Sequence, residues 1–343
     1  MAFAVLISGR RNATIRLLVG GDADGRSPRT PTYGEAALSE KPPLDPEKVL
    51  RYSFAYAPPL MIEAAVRLKV FDALAEGPRS LDDLAGAVSA DRRGLRILLN
   101  GLAGLELVAK TGADAYGLTP ESEAFLVNGR PAYLGAFFGH VSTQLMPNWL
   151  RLTDVVRDGK PAERVNQEAD GSAFFEQFVE AIFPLSRPAA AGFADRENLA
   201  TAAGPISVLD VGAGSGVWSV TLAEKSPRVR ATVVDWPGVL KVTKRVAERH
   251  GVADRFTFSP GDFSTADFGT GHQYATIGHI LHSEGPTRSK ALLKKVFDAL
   301  APGGKVAITE WLVDEGRTGP LPSLLFAVNM LVNTTDGDTF SFP

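Results

Sequence analysis

The chain has 343 residues, enough for two domains of the usual ~100–150 residues each. Its 36 Lys and Arg against 39 Asp and Glu leave a net charge of −3, which excludes both a strongly basic nucleic-acid binder and a highly charged solvating chain. Cysteine is absent, so disulfides, thiolate metal ligands and a thiol nucleophile are excluded too.

The opening apolar run Ala2–Ile7 has no basic residue before it. It is a poor export signal and far shorter than the ~20 apolar residues of a membrane span, so a cytoplasmic setting is the simplest. Residues 21–46 are rich in Gly, Pro, Ser and Asp and predict no packed core. Residues 1–45 therefore read as a disordered extension, with no fold before about Pro46.

From Pro46 the pattern turns helical, with Ala64, Ala65, Leu68, Phe71 and Leu74 at helical spacing before Gly77-Pro78. Ser80 caps a second helix carrying Asp82 and Asp83 in its first turn, and a third runs from about Arg92 to Leu105. Two short apolar runs around Thr111-Gly112-Ala113-Asp114 read as a hairpin. Helix, helix, helix, hairpin is a winged-helix outline, assigned to residues 46–168. Its third helix carries Arg92, Arg93 and Arg96 but is otherwise apolar, which suits subunit packing better than a phosphate-binding face. Residues 131–200 are again helical and rich in Phe and Trp; His140, Trp149 and Phe183 are the candidates to line an apolar pocket there.

From Ile206 the pattern changes to short β-branched runs alternating with helices: ISVLDV, ATVVDW, FTFSPGDF, YATIGHI and KVAITEWLV. Five such strands describe a parallel, doubly wound, Rossmann-like sheet, an α/β fold assigned to residues 169–343. The first strand runs into Asp210-Val211-Gly212-Ala213-Gly214-Ser215-Gly216. Glycines let a backbone turn tightly and approach a ligand. The spacing is G-x-G-x-G, with Val217 where the third glycine of a dinucleotide fingerprint falls, so the loop leans away from NAD. Asp235-Trp236 closes the second strand, where a carboxylate can accept both ribose hydroxyls. Gly261-Asp262-Phe263 follows the third, where Asp262 can accept from an adenine amino group and Phe263 can pack on the ring. All three stand at carboxyl ends of strands, where such sheets bind ligands.

On these motifs the chain resembles the S-adenosylmethionine (SAM)-dependent O-methyltransferases of the plant caffeate and bacterial hydroxyneurosporene type, from roughly Asp45 to Pro343. The resemblance implies a winged-helix dimerisation domain, SAM as cofactor, a homodimer, a phenolic or polyketide-like small-molecule substrate, and partners that include neither nucleic acid nor membrane. It also implies that His282, in Ile280-Leu281-His282-Ser283-Glu284-Gly285, is the general base and that Glu310, in Ile308-Thr309-Glu310, orients it. Neutral His can take a phenol proton near neutral pH, and a carboxylate fixes its tautomer.

Three positions depart from the family. Ser283-Glu284-Gly285 replaces Asp-Trp-Ser, and Gly278 stands where plant members carry a cofactor-holding Lys. After the fifth strand only LPSLLFAVNMLVN and TTDGDTFSFP follow, where family members add a helix, two antiparallel strands and a further carboxylate. The resemblance thus implies truncation and an open sheet edge. No residue spacing suggests a metal site. Two alternatives remain open: a SAM-binding member that does not methylate, and a metabolite-sensing winged-helix DNA-binding regulator.

Overall fold

The computed structural model describes β1 (Phe3–Ser8), β2 (Thr14–Leu18) and residues 44–341. The expected winged helix is built by the helices Ala57–Arg67, Leu81–Ala87 and Arg92–Gly104. With them goes a small antiparallel sheet of β3 (Arg79–Ser80), β4 (Val108–Lys110) and β5 (Ala115–Leu118), in the order β3-β5-β4. Each later helix begins on its cap: Ser80 Oγ accepts from the Asp83 N–H at 3.1 Å and Asp91 Oδ1 from the Gly94 N–H at 2.7 Å. Leu95, Leu99 and Leu102 recur at helical spacing and bury one stripe against Phe71, Leu74, Leu81, Leu84 and Tyr116. Leu99 is fully buried. Leu99→Ala is expected to cost about 2–5 kcal/mol, read as a lowered denaturant midpoint with the slope unchanged.

Arg92, first of the three arginines on the third helix, pairs with Asp82 at 2.5 Å and Asp114 at 3.3 Å, so acidic neighbours already answer its charge. The same segment shows an apolar outer surface: Leu50, Tyr52, Phe54 and Ile97 are each at least half exposed.

The second architecture is a sheet whose five parallel strands are β6 (Ile206–Val211), β7 (Val229–Asp235), β8 (Phe256–Pro260), β9 (His272–Gly278) and β10 (Leu300–Glu310). The full order is β2-β1-β10-β9-β6-β7-β8. β6 lies between β7 on one side and β9 on the other, so the strand order reverses at its carboxyl end, which is where doubly wound sheets open a crevice. Helices Val217–Lys225 and Pro237–Arg249 cover one face around Val208, Val220, Val233 and Val246. The helical segment Leu281–Ala299, broken at Gly285, packs Leu292 and Val296 over Leu209, Ile277 and Ile308 on the other.

The expected disordered extension and open edge are corrected here. β1 pairs antiparallel with β10 in the register Phe3↔Glu310 through Ser8↔Lys305, and β2 pairs with β1 from Ala4↔Leu18 to Ser8↔Thr14. An edge strand presents unpaired N–H and C=O groups that template another strand. The run Ala2–Ile7 was too short for a span, but its partner lies three hundred residues away and left no local trace. At the other end, β11 (Leu312–Val313) pairs in parallel with β12 (Phe340–Ser341). The intervening helix Leu321–Asn333 returns the chain so that the Asp338 N–H donates to the His282 carbonyl at 2.9 Å. Apart from these two strands and residues 44–45, the extension expected over residues 1–45 lies outside the described residues.

Candidate active site

The glycine loop follows β6 at the strand reversal. Gly212, Gly214 and Gly216 all take positive φ (65°, 56° and 75°), a region costly for residues bearing Cβ. Space is short as well: a Cβ on Gly212 would stand 2.4 Å from Ile280 Cδ1, and one on Gly216 would stand 2.8 Å from Thr243 Cγ2.

Asp210 was expected at the cofactor, and three donors beneath the loop already engage its carboxylate. It accepts from Ser219 N–H and Oγ at 3.1 and 2.6 Å and from Thr276 Oγ1 at 2.7 Å. It braces β6, β9 and the following helix, and burial pushes its pKa up against those bonds.

Asp235 ends β7 beside the loop. Its Oδ2 accepts from the Gly214 N–H at 2.8 Å and its Oδ1 from the Trp236 N–H at 2.7 Å, leaving each oxygen a free lone pair. Burial pushes this carboxyl up to about 6, against the two backbone donors. The Trp236 ring packs on Phe175, centroids 5.9 Å apart.

Gly261 donates its N–H to the Asp235 carbonyl at 3.0 Å, which ties the third strand's turn to the second. Phe263 leans toward the loop: its Cζ is 3.4 Å from where a Gly212 Cβ would be. Asp262 is more engaged than expected. Oδ1 accepts from Ser264 N–H and Oγ, and Oδ2 pairs with Arg288 at 2.9 Å, a residue also paired with Glu284 at 2.6 Å. Burial alone would raise the Asp262 pKa, but Ser264 and Arg288 hold it below the usual carboxylate range. Glu284, in the position the family gives to Trp, is thus one side of a carboxylate–guanidinium–carboxylate bridge. Gly278 leaves room taken by Trp218, whose Nε1 would lie 2.5 Å from a Cβ there and has no hydrogen-bond partner.

His282, in the first turn of the helix after β9, and Glu310, the last residue of β10, come together, both buried. His282 Nδ1 and Glu310 Oε2 are 2.7 Å apart, and Glu310 Oε1 accepts from the Leu281 and His282 N–H groups at 2.6 and 3.3 Å. Burial would raise the Glu310 pKa, but the charge and hydrogen bond of His282, with His279 and the backbone donors, hold it below the usual range. Phe326 meets the His282 ring edge-on at 4.8 Å, and Trp311 stacks on Phe326 at 4.7 Å. Trp311 directly follows Glu310, a signal available in the sequence; Phe326 on the last helix had none.

The pocket candidates separate. His140 stacks on Phe178 at 4.1 Å, meets Phe174 edge-on at 5.1 Å and bonds to Gln144; burial pushes its pKa down, against that bond. Trp149 Nε1 donates to Asn329 Oδ1 at 2.9 Å, on the helix that carries Phe326. Phe183 does not join them. It stacks on His250 at 5.4 Å inside the core on the first sheet face, because its helix packs on Val217–Lys225 and buries that side. Asn166, which no motif marked, donates to the Ser283 carbonyl at 3.1 Å and holds a buried, unpartnered Oδ1.

A model of the O-methyltransferase domain matches residues 149–339, and one of the O-methyltransferase dimerisation domain matches residues 50–128. The chain is 31% identical to the 3-hydroxy-5-methyl-1-naphthoate 3-O-methyltransferase of Streptomyces sahachiroi, over 80% of this chain and 79% of that one. It is 28% identical to the tetracenomycin polyketide synthesis 8-O-methyl transferase TcmO of Streptomyces glaucescens, over 86% and 87%. The human N-acetylserotonin methyltransferase, solved in complex with SAM, superposes with a TM-score of 0.72 at 25% identity, over 89% of this chain and 90% of that one. With the Rossmann-like sheet, its glycine loop at the strand reversal and the helical segment before it, these matches place the chain in the family of SAM-dependent O-methyltransferases that carry a dimerisation domain.

Proposed function

We propose that this SAM-dependent O-methyltransferase methylates a phenolic or enolic hydroxyl of an aromatic, polyketide-like small molecule, with His282 as general base and Glu310 as the group that positions it. The observation that carries this reading is the buried 2.7 Å contact between His282 Nδ1 and Glu310 Oε2 under an aromatic wall. The names of the two Streptomyces relatives support the acceptor class.

The loop and Asp235 fit SAM. Three positive-φ glycines leave no side chain between the backbone and a ligand. Asp235 keeps one lone pair on each oxygen for a pair of ribose hydroxyls. Asp262, held ionised by Arg288 and Ser264, retains acceptor capacity for an adenine amino group beside Phe263. Once bound, the cofactor supplies an electrophilic sulfonium methyl.

Everything else falls to the chain's own residues. Glu310 accepts the His282 Nδ1 proton and is itself pinned by two backbone N–H groups, so the imidazole presents Nε2 with a lone pair. Nε2 accepts the hydroxyl proton as the oxygen attacks, and Glu310 stabilises the imidazolium. Base action of this kind is worth about 10²–10⁴ in rate. Phe326 and Trp311 exclude water and offer flat faces to an aromatic ring. The exposed Leu50, Tyr52, Phe54 and Ile97 within the dimerisation segment support a homodimer buried on that surface.

The test is methyl transfer from SAM to a panel of hydroxynaphthoates and polyphenolic polyketides, matched against their O-methylated counterparts. Product from a free-hydroxyl acceptor and none from its blocked counterpart is the expected result. Turnover of an amine or thiol acceptor alone would overturn the hydroxyl assignment.

A further inference from the structure

One imidazole beside the base has no task in this chemistry. His279 follows β9 directly, with φ 61°, and its backbone N–H donates to the Thr309 carbonyl at 2.9 Å. A left-handed backbone is uncommon outside Gly, and Asn, Asp and His are the side-chain-bearing residues that adopt it most readily. Here it goes with a ring set against the catalytic pair: the His279 and His282 centroids are 6.3 Å apart, and Trp311 flanks His279 at 6.4 Å. His279 Nδ1 is buried and has no hydrogen-bond partner among the described residues. A buried nitrogen left unpaired is costly, so its lone pair calls for an occupant. One donor atom from each of His279, His282 and Glu310 lies within 4.8 Å of the others.

We propose that His279, His282 and Glu310 form a site for a single zinc-class divalent cation, and that its occupation turns the enzyme off. Two imidazole nitrogens and one carboxylate oxygen, with a water in the fourth position, are a zinc donor set. Magnesium and calcium demand more oxygen ligands, so the site discriminates against them. Zinc bonds of about 2.0–2.2 Å require the His282–Glu310 contact to open around the ion and His279 to swing inward. Both are side-chain motions on fixed strand ends.

The regulatory consequence follows from the tautomer, and this part rests on His282 being the base. His282 turns Nδ1 toward Glu310. A cation taken up there occupies the Nδ1 lone pair, so the single proton of the neutral ring resides on Nε2. No bond breaks except the exchangeable N–H, whose proton passes through water from one ring nitrogen to the other. Nε2 then offers a proton to the acceptor hydroxyl where it formerly accepted one. Methyl transfer stops while the cofactor loop, on β6, is untouched.

Metal-stripped protein saturated with S-adenosylhomocysteine is titrated calorimetrically with zinc chloride, and methyl transfer is assayed over the same zinc range. The variant is His279→Asn, because Asn tolerates the left-handed backbone. One zinc per chain is expected, with both its affinity and its inhibition constant weakened about tenfold or more in the variant, and with no heat from magnesium chloride. Zinc affinity and inhibition unchanged in His279→Asn would overturn the proposal, as would the absence of zinc binding to the wild type. Cobalt(II) added to the wild-type protein gives a reading that does not depend on the variant's folding: strong tetrahedral d–d absorption supports the site, and an octahedral spectrum refutes it. If the chain fails to methylate any hydroxyl, the calorimetric and cobalt results still decide the binding claim, so the two failures are distinguishable.

Discussion

His282→Ala is expected to lower kcat by about 10²–10⁴ with S-adenosylhomocysteine affinity unchanged. The separation follows from placement. His282 sits in the first turn of the helix after β9, with its ring between Glu310 and Phe326, whereas the glycine loop follows β6 and Asp235 ends β7. Losing the ring removes the proton acceptor and leaves the cofactor's contacts in place. Glu310→Gln is the informative companion. A glutamine keeps the shape but can offer an N–H to Nδ1, which favours the wrong tautomer, so kcat again falls while cofactor affinity holds. Equal loss of cofactor affinity in both variants would mean that the pair is structural.

Asp235→Ala is expected to act on the opposite quantity, weakening S-adenosylhomocysteine binding by roughly ten- to a hundredfold, since hydrogen bonds to a charged group contribute about 1.5–3 kcal/mol. Its pH dependence has a definite sign. Burial, against the Gly214 and Trp236 N–H donors, places the Asp235 pKa at about 6 in the free protein. Both oxygens can accept a ribose hydroxyl fully only when the carboxylate is ionised, so binding favours the charged form. Affinity is therefore full well above pH 6 and falls as the pH drops through it. Asp235→Asn removes that titration and flattens the profile, which calorimetry at several pH values reads directly. A wild-type profile flat across pH 6 would place the ribose elsewhere.

The winged helix and the parallel sheet were legible because their signals are local: capping residues, helical stripes such as Leu95-Leu99-Leu102, and β-branched runs ended by glycine. The glycine loop and Asp235 could be proposed from short motifs at strand ends, and His282 and Glu310 through the resemblance that such motifs carry. What escaped shares one physical cause, a partner distant in sequence. Arg288 reaches Asp262 across 26 positions, Trp149 meets Asn329 across 180, and β1 finds β10 across the length of the chain. Phe183 lies in the core on the sheet, and in sequence an aromatic at helical spacing looks the same whether its helix faces a pocket or a sheet. For Asp210 the limit is different: a motif tells which residue is present but not how many of its lone pairs are already engaged.

The antiparallel pairing of Phe3–Ser8 with the strand that ends in Glu310 also bears on how the molecule assembles. Phe3–Ser8 meet their partner only after some three hundred further residues have been made. A contact of such range closes a very large loop, and large loops form slowly. The helical dimerisation segment, whose contacts are local, can condense while synthesis continues. The nucleotide-fold half must wait for β10 to emerge before its border strand can seat. Since Phe3 lies opposite Glu310 in the register, whatever is fused ahead of it starts from the end of β10 that carries the proposed positioning carboxylate.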